Sequence, residues 1–230
     1  VLGGGVSAEC EISLISADCA CKALNRHNLN AALIDINTSQ REDVETLIRS
    51  QGIDAAFIAL HGKFGEDGAI QTILQGVNIP YTGSGVTASR LAMDKISSRN
   101  IFKMHGLAVP RYKKVHKSSF RGNLRMENNF IFPLVVKPAT GGSSIGLSII
   151  DREEELYKSV DLAFNFDEKI IIEEYIKGRE VTVGILQEEA LPVIEIIPKK
   201  RFFDYEAKYH PGLTDYVVPA KLNGKTAQKI

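Results

Sequence analysis

The chain has 230 residues, 44% of them hydrophobic and 24% charged, with 28 Lys+Arg against 28 Asp+Glu and a formal net charge of +0. That is ordinary globular material, enough for one large domain or two small ones. The balanced charge speaks against nucleic-acid and anionic-membrane partners, and no apolar run reaches the length needed to cross a bilayer.

Taken in chain order, the first half alternates strand and helix. Val1-Leu2-Gly3-Gly4-Gly5 reads as the end of a strand and its turn. Apolar spacing predicts a helix over residues 11–27, through Ile12, Ile15, Ala20, Ala23 and Leu24. A strand over 31–36, a helix over 41–50 and a buried strand over 54–60 follow. A short helix over 68–76, a strand end over 79–82 and a helix over 84–95 complete the unit. This alternation implies an α/β fold, a parallel sheet with helices on both faces. Ligands of such sheets sit beyond the carboxyl ends of the strands. Those ends are Gly3-Gly4-Gly5, His61-Gly62 and Gly83.

From about residue 99 the chain turns strand-rich. Strands are expected over 108–115, 133–137, 147–150, 169–175, 181–186 and 191–197, with one helix over 151–164. Such a mixture reads as α+β. No Pro/Gly linker divides the halves, so a helix is expected to join them near 94–100. Residues 199–216 read as a long polar loop, and loops of that length are commonly functional. Asn223 is placed to cap a final helix.

Both ends look cut, since the first strand and the last helix are short. The expectation is a piece of a longer protein. Cys10, Cys19 and Cys21 make an odd, sparse set, which fits a reducing compartment better than a disulfide framework.

The most informative stretch is Gly141-Gly142-Ser143-Ser144-Ile145-Gly146. An apolar strand ending on Lys137 precedes it, and a second strand follows. Glycines let backbone N–H groups approach an anion, hydroxyls add donors and the lysine adds a point charge. It is not a Walker A loop, which leads into a helix. The bland alternative is a flexible polar hairpin. Thr82-Gly83-Ser84-Gly85-Val86-Thr87-Ala88 resembles a dinucleotide fingerprint but lacks the later acidic strand end, so a tight turn at a helix start is favoured. Glu9 and Glu11 lie near a helix N-terminus, where capping is the plain explanation for Glu9. Glu11 has another use open to it, holding a ligand's ammonium group. Glu173 and Glu174 end an apolar strand and Glu180 follows, which suits a purine and ribose slot or a solvated edge.

Together these segments resemble the D-alanine–D-alanine ligase family of ATP-grasp enzymes. The likeness rests on Leu2-Gly3-Gly4, Ser7-Ala8-Glu9, Glu11-Ile12-Ser13, Ala59-Leu60-His61-Gly62 and Gly65-Glu66-Asp67-Gly68. It continues through Pro80 to Gly85, Met93-Asp94-Lys95, Val136-Lys137-Pro138, Gly142-Ser143-Ser144 and Asp204 to Tyr209. Cys10 departs from the basic or bulkier polar residue common there. The resemblance implies an N-terminal α/β domain over 1–94 and an incomplete α+β ATP-grasp domain over 95–230. It assigns ATP binding to Lys95, Lys137, Ser144, Glu173, Tyr175, Ile176, Glu180 and Lys208. It puts Glu11, Ser143 and Tyr209 in the catalytic set, with Glu11 and His61 on the first D-alanine. It implies Mg²⁺, with ligands beyond residue 230. It further implies D-alanine as substrate, a homodimer, a cytoplasmic location and a place in peptidoglycan precursor synthesis. Two rival classes remain open: another ATP-grasp carboxylate–amine ligase, and a non-catalytic nucleotide-binding module.

Overall fold

The structure is a computed structural model that describes residues 1–122, 124 and 130–230. Strand β1 (Leu2–Gly4) is buried throughout and pairs in parallel with β2 (Ile34–Ile36), Leu2 opposite Ile34. Helix α1 (Cys10–Arg26) lies between them in sequence, as a parallel crossover requires. The expected strands over 54–60 and 79–82 are reduced to single parallel bridges, Leu2 with Ile58 and Ala56 with Tyr81. They still extend the sheet through backbone bonds such as Leu2 N–H to Phe57 O, 2.8 Å, and Ala56 N–H to Pro80 O, 2.8 Å.

Period-two alternation sends neighbouring strand residues to opposite faces. Val1 and Ala59 pack with Ala17 of α1. Leu2 and Leu60 join the larger core with Val44 and Ile48 of α2 (Arg41–Ser50) and Ile70, Ile73 and Leu74 of α3 (Ala69–Gly76). The helix expected over 84–95 is instead α4 (Val86–Met93), followed at once by α5 (Lys95–Met104). Asp94 separates them with extended backbone, φ −82° and ψ 106°, and its carboxylate accepts from the N–H groups of Ile96 and Ser97. A good N-cap has won over continuation of the helix. The Gly83–Gly85 turn therefore serves a helix start.

The second core surrounds an antiparallel sheet. It contains β3 (Tyr112–His116), β4 (Leu134–Pro138), β5 (Ser148–Ile150) and, after α6 (Leu156–Phe164), β6 (Lys169–Glu174), in the order β3-β6-β4-β5. Leu134, Val136, Ile170 and Ile172 pack against Leu156, Val160 and Ala163 of α6. Alternation then turns Lys137 and Glu173 to the sheet's other face. Lys137 pairs with Ile171 in register, so Glu173 is its diagonal neighbour on that face.

The strand expected over 181–186 is split into β7 (Glu180–Thr182) and β8 (Ile185–Leu186). β8 and β9 (Glu189–Ala190) form a small hairpin whose turn residues Gln187 and Glu188 have positive φ. A second antiparallel sheet runs β11-β10-β7, with β10 at Ile194–Pro198 and β11 at Thr214–Val217. The polar stretch 199–216 is thus not one loop. It carries helix α7 (Tyr205–Tyr209), capped by Asp204, and the start of β11. The final helix α8 (Gly224–Ala227) is capped by Asn223, as expected. No helix among the described residues is long and apolar enough to cross a membrane.

Candidate active site

The glycine loop after β4 is folded down onto the turn before α1. Ser143 is 9% exposed, and its hydroxyl donates to the Glu9 carboxylate. The same hydroxyl lies 2.7 Å from the Tyr209 hydroxyl, which is itself 3.5 Å from Glu9 Oε1. One serine therefore joins the turn before α1, the glycine loop and α7. Its φ of 50° is a left-handed conformation that serine adopts rarely, and the three-way contact holds it there.

The acid in this set is Glu9, where the resemblance had pointed to Glu11. Glu9 stands at the N-cap position of α1 but makes no capping bond with its side chain. It is 4% exposed, so the carboxylate is committed to the site. Glu11 is exposed in the first turn of α1, outside the hydrogen-bonded set. Gly62 explains the close approach: φ is +66°, and a Cβ there would collide with Glu9 Oε2. His61 is in the same corner, with Nε2 3.0 Å from Ser16 Oγ and its carbonyl accepting from Ser7. Glu66 is nearby, and burial pushes its carboxyl up from the usual range, with the Glu9 charge adding to the shift.

The lysines flank the loop. Lys95 opens α5 and donates to Gly141 O at 2.8 Å. Burial, with the Lys137 charge second, lowers its pKa to about 8. Lys137 Nζ lies 2.5 Å from Glu173 Oε1. Lys208 sits over the Phe203 ring at 5.2 Å, and burial lowers its pKa against the pull of Glu9, Glu180 and Glu66. Ser144, assigned to ATP by the resemblance, stands in the same loop. Its hydroxyl donates to Phe203 O at 2.8 Å and so ties the glycine loop to the segment before α7.

Tyr175, Ile176 and Glu180 line one cavity of about 590 Å³ with Ile196, Arg201 and Phe202. The connection between β6 and β7 lines it on one side and β10 contributes Ile196, with Ile176 exposed. Glu173 does not line it. That carboxylate is 4% exposed beneath, paired with Lys137 and Arg99. The sequence reading missed both Arg99 and this burial. The signal for Arg99 was its spacing, one helical turn after Lys95.

The state of Lys95 sets a pH dependence. Its folded pKa, about 8, lies below the ordinary 10.5. Between those values the unfolded chain holds more protons, so the empty protein gains stability as pH rises through that window. A polyanion bound beside Lys95, as the resemblance implies, would restore its charge. Nucleotide affinity should therefore fall as pH rises above about 8, by at most about tenfold per pH unit, with proton uptake on binding. Calorimetry at about pH 9 in buffers of different ionisation enthalpy checks this. Binding without proton uptake would remove Lys95 from the anion site.

Two antiparallel sheets with a cavity of nucleotide size, a lysine on an inner strand and a closed glycine loop define the ATP-grasp class. A family model described as D-ala D-ala ligase N-terminus matches residues 37–84, and one described as D-ala D-ala ligase C-terminus matches residues 101–230. A D-alanine–D-alanine ligase of Geotalea uraniireducens is 44% identical over 230 residues, 100% of this chain and 72% of that protein. The crystal structure of the Bacillus anthracis D-alanine–D-alanine ligase superposes with a TM-score of 0.82 at 34% identity, covering 99% of this chain and 73% of that one. The same enzyme complexed with ATP gives 0.77 at 30% identity, covering 96% and 69%. The chain belongs to the D-alanine–D-alanine ligase family.

Proposed function

We propose that this chain carries the site for ATP-dependent joining of two D-alanines into D-alanyl-D-alanine, the step that supplies this dipeptide to peptidoglycan precursors. The single observation that carries the reading is Ser143 bridging Glu9 and Tyr209, because it closes the glycine loop over a lysine-lined face. In this reading residues 1–94 form the amino-acid side of the site and residues 95–230 the nucleotide side.

The cavity at Tyr175, Ile176 and Glu180 takes the adenine and ribose. Backbone groups at Ile176 read the base edge, and Glu180 accepts from ribose hydroxyls. Lys95 and Lys137 neutralise the phosphates, and Lys208 approaches them from α7. The γ-phosphoryl group passes to the carboxylate of the first D-alanine, and the amine of the second displaces phosphate from the acylphosphate. Such transfer depends on alignment and charge neutralisation more than on covalent help. A closed loop also keeps water from the acylphosphate. Glu9 faces the ammonium of the first D-alanine, the role first given to Glu11, and His61 lies on the carboxylate side. Mg²⁺ normally arrives with nucleotide phosphates and carboxylates. Among the described residues there is no group of three or more His, Cys, Asp or Glu that could hold a metal ion.

The test is phosphate release with ATP, Mg²⁺ and each of D-alanine, L-alanine and D-lactate in the protein that carries this chain. Turnover is expected with D-alanine, accompanied by dipeptide. Equal or better turnover with L-alanine would overturn the substrate assignment. ATP binding with no turnover on any amino acid would favour a nucleotide-binding module.

A further inference from the structure

Helix α5 brings a second cation to the site one turn after Lys95. Arg99 is 8% exposed, which an arginine tolerates only when its charge is matched. One guanidinium nitrogen, Nη2, pairs with Glu173 Oε2. The other carboxylate oxygen, Oε1, is 2.5 Å from Lys137 Nζ. The guanidinium also stacks over the Tyr112 ring, 4.9 Å from its centroid. Nη1 has no hydrogen-bond partner among the described residues. The order is thus Arg99, Glu173, Lys137, with one buried carboxylate shared between two cations.

Sharing changes what Lys137 offers a ligand. A buried carboxylate held by one lysine alone neutralises it and draws its ammonium down onto the sheet. With Arg99 on the far oxygen, the Glu173 charge is divided. Lys137 is then fixed in direction while retaining positive potential. Lys95 stands one turn earlier on α5, where it feels the charges of Lys137, Arg99, Glu173 and Asp167, so three cations face two carboxylates. Such an excess in a poorly solvated place is relieved by an anion. Tyr112 fixes the guanidinium plane, and so the direction in which Glu173 holds the lysine.

We propose that Arg99 is a positioning residue for phosphate binding, acting through Glu173 to aim the Lys137 ammonium and keep its charge available to the nucleotide. The inference rests on the reading that Lys137 meets the phosphates. The plain alternative is that the three residues only pin α5 to the sheet. Loss of a pin would weaken every ligand alike or lower the melting temperature. Loss of positioning strikes only ligands that carry phosphate.

The experiment compares ATP, ADP and adenosine binding by calorimetry in Arg99→Met, Arg99→Lys, Lys137→Ala and the Arg99→Met/Lys137→Ala double variant. Arg99→Met should weaken ATP and ADP about tenfold, the loss typical of a disturbed charge-assisted contact, and leave adenosine unchanged. Arg99→Lys should recover most of that loss. On the Lys137→Ala background, Arg99→Met should cost less than about twofold, because its intermediary is gone. Unchanged ATP affinity in Arg99→Met, or equal weakening of adenosine, would overturn the proposal. So would a full additional loss in the double variant. If Arg99→Met does not fold, Arg99→Gln replaces it under the same criteria. If Lys137→Ala itself binds ATP normally, the phosphate reading falls together with the proposal. If Lys137→Ala is impaired and Arg99→Met is not, only the proposal falls.

Discussion

Replacing Glu9 by alanine is expected to cut turnover by about tenfold to a hundredfold, the loss of roughly 1.5–3 kcal/mol attached to a charged hydrogen bond. The carboxylate is buried, accepts from Ser143 and lies within reach of Tyr209. Without it the Ser143 hydroxyl keeps only the tyrosine, and the left-handed serine loses the contact that holds it. The glycine loop should then spend less time closed, and, on the proposed placement of the first D-alanine, its ammonium would lose its counter-charge. Glu11→Ala is the internal comparison. That side chain is exposed in the first turn of α1, where a carboxylate is worth about 0.3–1 kcal/mol through the helix dipole. It should change turnover by no more than about twofold. Steady-state phosphate release with D-alanine decides between them. Equal losses in the two variants, or a larger one in Glu11→Ala, would mean that the set around Ser143 is not the working one.

Lys137→Ala should weaken nucleotide binding by about tenfold to a hundredfold, again roughly 1.5–3 kcal/mol for a contact between a lysine and phosphate in a poorly solvated site. The lysine projects from β4 on the face away from α6, and Glu173 steadies it at 2.5 Å. Removing it leaves Glu173 beside the place where phosphate would lie, with Arg99 as its remaining ion-pair partner. The carboxylate would then repel the ligand, which adds to the lost attraction. Calorimetric titration with ATP measures the change. Nucleotide affinity equal to that of the unaltered protein would refute this placement of the phosphates.

Much of the architecture was legible in the amino-acid order because it depends on local patterns. The spacing in α2 matched its buried face, Val44 and Ile48, and the helix over 151–164 was found as α6. In α1 the helix was legible but not its face: Ser13 and Ala17 are the buried residues, and Ile15 is exposed. The strand ending on Lys137, the glycine loop and the next strand stood as they are found. Asn223 marked α8 through the ordinary chemistry of a cap. The family resemblance likewise came from contiguous segments, and the comparisons with known proteins bear it out. Boundaries were less legible. The helix read across 84–95 is cut by Asp94, and 199–216 holds a helix and a strand start where a loop was expected.

What the sequence determined by itself, then, was the set of elements and the residue types near the site: lysines, hydroxyls, glycines and paired acids in a recognisable order. What only the tertiary structure decided was which acid meets which partner. Glu9 stands at the N-cap position and Glu11 in the first turn of α1, so the two acids, two residues apart, sit in different backbone settings, one buried and one exposed. The sequence offered Glu9 as a helix cap; that its side chain leaves the helix end uncapped and instead meets Ser143, 134 residues away, is a matter of packing. The same holds for Glu173. Its place at a strand end looked like a slot for the base, but pairing register turned it under the sheet surface onto Lys137 and Arg99. Contacts of that range are set by how whole elements pack, and no local pattern in the chain encodes them.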